Sequence, residues 1–265
     1  KHGFTVKLNP KNFDKDNVFA GTINQRIKIL QDALDNEEVK AIFFARGGYG
    51  TIQVIDYLDF TYFSKKPKWL IGFSDITIIL TYIKTHFNIQ TIHAPMPYNF
   101  KSTDDNTLNN LFNLIQGHPQ KITAPFFKLN KLGSCKGLVV GGNLSILYSL
   151  MGTKDIGGVK DSILFLEDVD EYLYHLERMM YTMDRSGLLK NLRGLIIGQM
   201  TGMLDNENSF GKTSYQLIYD IVKKYDYPIC FNFPIGHTAH NQPIIVGAEI
   251  ELDVNKDVSK ITYLS

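Results

Sequence analysis

Apolar residues fall at helical intervals between Val18 and Glu38, with Ile27, Ile29, Leu30, Ala33 and Leu34 set among polar positions, before the pattern changes to the unbroken run VKAIFFA. The spacing predicts a helix followed by a buried strand. The run ends at Arg46-Gly47-Gly48-Tyr49-Gly50, and Ile52, Val54, Ile55 and Leu58 then return to helical spacing. Residues 68–73 predict a second strand, Ser74 a turn, and residues 75–87 a helix. Strand, turn and helix in alternation imply a parallel sheet covered by helices.

A short strand is expected at 90–94, a Pro-rich loop at APMPYNF and a helix at 108–115. From 117 to 135 the chain mixes His-Pro, Ala-Pro, Lys and Gly with no sustained period, which reads as a crossing between domains. The expected division is an N-terminal α/β domain at 1–117, a linker at 118–134 and a C-terminal domain at 135–265. In the second half GLVVGGNLSILYSLMG predicts a strand, glycines and a helix, and SILFLE a strand finishing on Glu167. Helices are expected at 172–189 and 215–225. Strands are expected at 195–200, at ICFNF, and at IIVGAEIELDV as a single strand whose later half alternates.

A length of 265 residues with 44% hydrophobic and 21% charged residues suits one large or two moderate soluble domains. The 28 basic and 27 acidic residues nearly cancel, so the one-signed field that nucleic-acid binding uses is absent. Only Cys135 and Cys230 are present, outside any C-x-x-C or metal spacing, which fits a reducing compartment. No apolar run reaches the roughly 18 residues of a membrane span, and no membrane partner is expected. KHGFTVKLNP lacks the apolar stretch of a signal peptide, yet a start at Lys1 without methionine points to a longer native chain.

Candidate chemistry gathers at the turns. Ser74 occupies a strand-to-helix turn, where a hydroxyl stands above the carboxyl edge of a sheet and the following N–H groups face a developing oxyanion. The competing reading makes Ser74 a plain N-cap for the next helix. Ile76 stands where G-x-S-x-G would place its second glycine, so an α/β-hydrolase proper is not supported. Gly47, Gly48 and Gly50 let backbone approach a ligand, as an oxyanion donor or a phosphate cradle, though G-G-x-G lacks both the G-x-G-x-x-G spacing and the Lys-Ser/Thr of a P-loop. Arg46 could meet a substrate carboxylate or make a structural ion pair. Glu167 ends an apolar strand, where open sheets present functional side chains, while Asp168, Asp170 and Glu171 also read as acids leading a helix. His237 lies in a loop between strands with His240 nearby, and no third ligand is evident for a metal.

The stretches ARGGYG, GFSDIT, HAPM, GGNLS, LFLEDVDE and PIGHTAHN, in this order and over nearly the whole chain, resemble the LD-carboxypeptidase (muramoyltetrapeptide carboxypeptidase) family of serine peptidases. The resemblance implies an N-terminal parallel-sheet, Rossmann-like domain, a smaller C-terminal mixed α/β domain, and an active site at their junction. It implies Ser74 as nucleophile, His237 as base, Glu167 as the acid that orients the base, and the N–H groups of Gly48 and Asp75 as oxyanion hole. Arg46, Gly47, Tyr49 and Asn143 are expected at the substrate, with no metal and no cofactor. The implied protein is a cytoplasmic homodimer of peptidoglycan recycling that cleaves an L,D peptide bond to release terminal D-alanine from a muropeptide tetrapeptide. Family members usually carry one more strand and helix before the segment matching KHGFTV, so either the sequence is truncated or another segment covers the sheet edge left here. Two rivals stand beside this expectation. One is an immunity-type peptidase acting on aminoacyl-nucleotide antibiotics, for which Tyr172 and Tyr174 could stack a base better than the strand residue Trp69. The other is a non-catalytic nucleotide-binding module using the Gly47–Gly50 loop.

Overall fold

The computed structural model describes residues 2–264. Three parallel strands, β1 (Ala41–Phe43), β2 (Trp69–Gly72) and β3 (Thr91–His93), begin a first sheet. They alternate with α1 (Ile23–Asp35), α2 (Thr61–Lys65), α3 (Thr77–Phe87) and α4 (Asp105–Ile115). The second sheet contains β4 (Ile122–Pro125), β5 (Gly133–Asn143), β6 (Ile163–Val169), β7 (Gly194–Thr201) and β8 (Ile229–Cys230). Here α5 (Leu144–Ser149), α6 (Leu173–Arg185) and α7 (Ser214–Val222) make the connections. The strand β9 (Ile244–Val246) returns to the first sheet and pairs antiparallel with β3, whereas β10 (Glu249–Val254) and β11 (Val258–Tyr263) complete the second. The orders are β1-β2-β3-β9 and β4-β11-β10-β5-β6-β7-β8. The fold is α/β with two sheets, as expected.

Four details differ from the expectations. Residues 118–134 are not structureless, because β4 pairs with β11 at the edge of the second sheet, where Pro125 needs no ladder donor. The stretch after the glycines forms 3₁₀ turns at Thr51–Gln53 and Ile55–Tyr57 rather than a helix. Asp75 Oδ2 accepts from both the N–H (2.9 Å) and the hydroxyl (2.7 Å) of Thr51 and ties that segment to the Ser74 turn. The strand ending at Glu167 runs on to Val169, with a register shift between Leu166 and Asp168. IIVGAEIELDV is two strands in two sheets, divided at Gly247, whose φ of +88° permits the crossing.

Apolar side chains alternate across the second sheet. Val140, Leu164, Leu166, Leu195 and Ile197 pack under α5, α6 and α7, while Val139, Ile163, Phe165 and Ile196 face Ile244 and Val246 of β9. Both faces being covered explains why SILFLE reads as a continuous apolar run. Each fully buried Leu, Ile or Phe contributes about 1.5–3 kcal/mol. The two sheets therefore meet through core, and the carboxyl ends of β2, β3, β5 and β6 come to one junction. Contact there is close: a Cβ on Gly142 would lie 2.5 Å from Thr77 Cγ2, and Asn143 N–H donates to Thr77 Oγ1 at 3.1 Å.

Candidate active site

Ser74 stands two residues after the end of β2 and has φ +62°, a left-handed conformation that costs a non-glycine residue of order 1–3 kcal/mol. Gly72 permits the turn, since a Cβ there would lie 2.9 Å from Ile76 Cγ2. The half-buried Ser74 hydroxyl caps nothing: neither the 3₁₀ turn Ser74–Ile76 nor α3 has a side-chain cap. The simple N-cap interpretation is thereby removed. The glycine loop lies over this hydroxyl, for a Cβ on Gly47 would be 3.0 Å from Ser74 Cβ and 3.1 Å from Oγ.

From the second half, Glu167 Oε2 meets His237 Nδ1 at 2.7 Å, with Glu167 0% exposed. Burial works against the imidazolium, but the hydrogen bond to Glu167 and the charges of Glu167, Asp168 and Asp170 outweigh it and hold His237 above its ordinary value. Gly236, at φ +126°, brings the loop this close, since a Cβ there would sit 3.0 Å from both Glu167 Cβ and Oε2. The His237 ring packs against Phe73, the residue before Ser74, with centroids 4.7 Å apart. Glu167 and His237 are thus hydrogen-bonded, and His237 and Ser74 are neighbours through Phe73. Among the described residues no hydrogen bond joins Ser74 Oγ to the His237 ring. Serine–histidine bonds in unliganded sites are often long and tighten with substrate.

Residues 1–94 match the LD-carboxypeptidase N-terminal domain and residues 136–252 the LD-carboxypeptidase C-terminal domain. The chain belongs to the LD-carboxypeptidase family of serine peptidases. It is 28% identical over 264 residues to a probable murein peptide carboxypeptidase of Bacillus subtilis, covering 98% of this chain and 83% of the relative. With the murein tetrapeptide carboxypeptidase of Pseudomonas aeruginosa it shares 29% over 251 residues, covering 89% and 80%. Among solved structures, the muramoyltetrapeptide carboxypeptidase from Oxalobacter formigenes superposes with a TM-score of 0.87 at 25% identity, covering 95% of this chain and 88% of that one. The microcin C7 self immunity protein MccF, in complex with aspartyl sulfamoyl adenosine, shares the fold, with a TM-score of 0.81, 19% identity and coverage of 95% and 85%.

Within this LD-carboxypeptidase chain the other expected site residues divide. Arg46 is exposed, its guanidinium 5.2 Å from the Tyr98 ring centroid, and it has no carboxylate partner among the described residues. The structural ion pair considered for it is therefore absent there. Tyr49 is exposed, 6.1 Å from Phe19 between ring centroids. Asn143 differs from the expectation of a substrate contact. It is buried and commits its amide to the protein, with Nδ2 donating to Asp168 Oδ1 (2.9 Å) and Oδ1 accepting from Ser145 Oγ (2.8 Å) and Ile146 N (3.2 Å). A short polar side chain after two glycines signals a ligand contact and a helix cap equally well, and here it caps α5.

His240 Nδ1 is on Asp104 Oδ2 at 3.0 Å, and His237 Nδ1 is on Glu167. Among the described residues no group of three or more His, Cys, Asp or Glu could hold a metal. Tyr172 and Tyr174 are both exposed, 5.6 Å apart, and Trp69 packs into the core beside the first sheet. No helix among the described residues is long and apolar enough to cross a membrane.

Three side chains around the site make contacts that the sequence did not predict. Asp168 lies next to Glu167 but turns to α5, where Oδ2 accepts from Ser145 N at 2.9 Å. Burial and the Glu167 charge push it up to about 7 against the pull of its N–H donors. The Asp75 side chain holds Thr51, and burial raises it despite those bonds and Arg26. His93 is buried at the end of β3 with Nε2 3.3 Å from Asn241 Oδ1. HAPM and HTAHN marked these last residues, but nothing local showed that they meet.

Proposed function

We propose that this chain is a serine carboxypeptidase that cleaves the L,D peptide bond of muropeptide tetrapeptides and releases terminal D-alanine. The buried 2.7 Å Glu167–His237 bond, set beside the strained Ser74 turn, carries the reading. An isolated loop histidine would not need a fully buried carboxylate behind it. In the reaction His237 Nε2 takes the Ser74 proton as Oγ attacks the scissile carbonyl, and the N–H groups of Asp75 and Gly48 receive the oxyanion. Collapse of the tetrahedral species breaks the C–N bond, and His237 returns the proton to the departing D-alanine amine. Water, deprotonated by the same imidazole, then releases the acyl group from Ser74. Glu167 holds Nδ1 protonated throughout, leaving Nε2 free to act as base.

The peptidoglycan-recycling assignment is supported by the murein peptide names of the relatives and by the free Arg46 cation, which suits a terminal carboxylate. The test is D-alanine release from a tetrapeptide by the wild-type chain and by Ser74→Ala. Release that is lost in a folded Ser74→Ala protein is expected, and turnover retained there would remove Ser74 from the reaction. The immunity-type alternative is favoured by the exposed Tyr172–Tyr174 pair and by the shared MccF fold. Faster turnover of an aminoacyl sulfamoyl adenosine than of the tetrapeptide would establish it instead.

A further inference from the structure

The turn before His237 is fastened to the opposite half of the molecule through the buried amide of Asn241. Asn241 Oδ1 accepts from Gly236 N–H at 2.9 Å, directly before His237 in the chain. The same oxygen meets His93 Nε2, on β3 of the first sheet, at 3.3 Å. A backbone N–H can only donate, so the atom facing Gly236 is the amide oxygen, and His93 must present Nε2–H to it. His93 is 0% and Asn241 1% exposed, and Phe73 lies between the two imidazoles, with centroids 5.8 Å from His93 and 4.7 Å from His237. His93 Nδ1 has no partner among the described residues, which is what a singly protonated ring buried between Phe73 and Phe165 leaves over. Other loop anchors, Ala239 and His240 to Asp104 and Gln242 to Thr107 and Asn110, hold its far limb to α4 rather than the turn at His237.

We infer that His93 and Asn241 are positioning residues for the base: His93 donates to Asn241, which grips the Gly236 N–H and so fixes His237 in register with Ser74 across the junction of the two halves. The proposal rests on the Ser74–His237–Glu167 reading. Neither residue touches the reacting atoms, and their effect is on how often His237 stands where it can take the Ser74 proton. The chain should therefore lose rate rather than affinity when the link is cut, because misplacement of a catalytic group by about 1 Å costs on the order of 100-fold.

The test is phosphonylation of Ser74 by a fluorophosphonate, measured on the full chain as a limiting rate against reagent concentration. His93→Leu, which keeps bulk without a donor, and Asn241→Ala should lower the limiting rate roughly 10- to 100-fold with half-saturation within about 3-fold of wild type. His93→Gln, which keeps an N–H, should stay within about 5-fold of wild type. Should His93→Leu fail to fold, Asn241→Ala decides, since its smaller side chain leaves room for water at Gly236 N–H. A folded His93→Leu or Asn241→Ala protein with the wild-type limiting rate overturns the inference, as does a His93→Gln protein no faster than a folded His93→Leu one. A wild-type chain not labelled at Ser74 would instead defeat the triad reading itself.

Discussion

Glu167 and Asp168 are consecutive carboxylates with opposite assignments: Glu167 Oε2 accepts from His237 at 2.7 Å, and Asp168 Oδ2 accepts from Ser145 N at 2.9 Å on the far side of the strand. Successive residues of a strand point to opposite faces, and the register shift between Leu166 and Asp168 falls at this pair. One face looks into the junction and the other caps α5. Because Asp168 also holds Asn143, the helix that follows β5 and the strand that carries the acid are fixed to one another.

Since His237 must be neutral to take a proton and lies above its ordinary value, kcat/KM should fall as pH drops through that raised value. Glu167→Gln removes the charge that raises it, so the acidic limb should move to lower pH. The plateau should drop by about 10²–10⁴-fold, because the imidazole loses the group fixing its tautomer. A pH–rate profile of both proteins reads both effects. A limb at the same pH in Glu167→Gln would mean that another group titrates.

Gly47→Ala addresses the loop above Ser74. Its Cβ would stand 3.0 Å from Ser74 Cβ and 3.1 Å from Oγ, with Met96 Cε at 3.5 Å behind, so serine or loop must shift by a few tenths of an ångström. The expected result is a loss of about 10-fold or more in kcat with an unfolding midpoint close to wild type, because little packing is altered. Thermal unfolding and steady-state kinetics on the same sample separate the two. A large fall in midpoint would make Gly47 a folding requirement instead.

Asp75 offers a sharper contrast between two substitutions. Its Oδ2 holds Thr51 by two bonds while Oδ1 has no partner among the described residues. Asp75→Asn can place an oxygen at the same point and should keep most activity. Asp75→Ala releases Thr51, and with it the loop ending at Gly50, and should lose about 10²-fold in kcat and about 1–3 kcal/mol of stability. Equal activity in the two variants would show that the tie to Thr51 does not matter for turnover.

The features legible in the sequence are those whose cause is local. A glycine run after an apolar strand, a serine between strand and helix, and an acid closing SILFLE each declare a position before any partner is known, and they mark the places where the chain reaches the junction. What was not legible depends on partners far along the chain. β4 is a strand because β11 lies beside it, and IIVGAEIELDV divides because its first part finds β3 and its second part β5. Asn143 shows the same limit for a side chain. Its type allowed a substrate contact, and only the arrival of Asp168 and the start of α5 committed its amide to the fold.

Arg46 tests the proposed substrate. Its guanidinium rests against Tyr98, is exposed, and meets no carboxylate among the described residues, which leaves it open to an anionic group. A charge-assisted bond to a peptide's terminal carboxylate is worth about 1.5–3 kcal/mol, or roughly 10- to 150-fold in affinity. Arg46→Ala should therefore raise KM for the tetrapeptide by about that factor with a smaller change in kcat, and should abolish the preference for a free C-terminus over its amide. Stereochemistry follows from the same geometry. With the carboxylate held at Arg46 and the carbonyl in the oxyanion hole, inverting the last centre moves its methyl to the other side, so a peptide ending in L-alanine can satisfy only one of the two anchors in the transition state. Wild-type enzyme should discriminate strongly between the diastereomers, and Arg46→Ala should narrow the ratio. Equal rates on both diastereomers with the wild type would defeat the D-alanine assignment, and an unchanged ratio in Arg46→Ala would place the carboxylate anchor elsewhere.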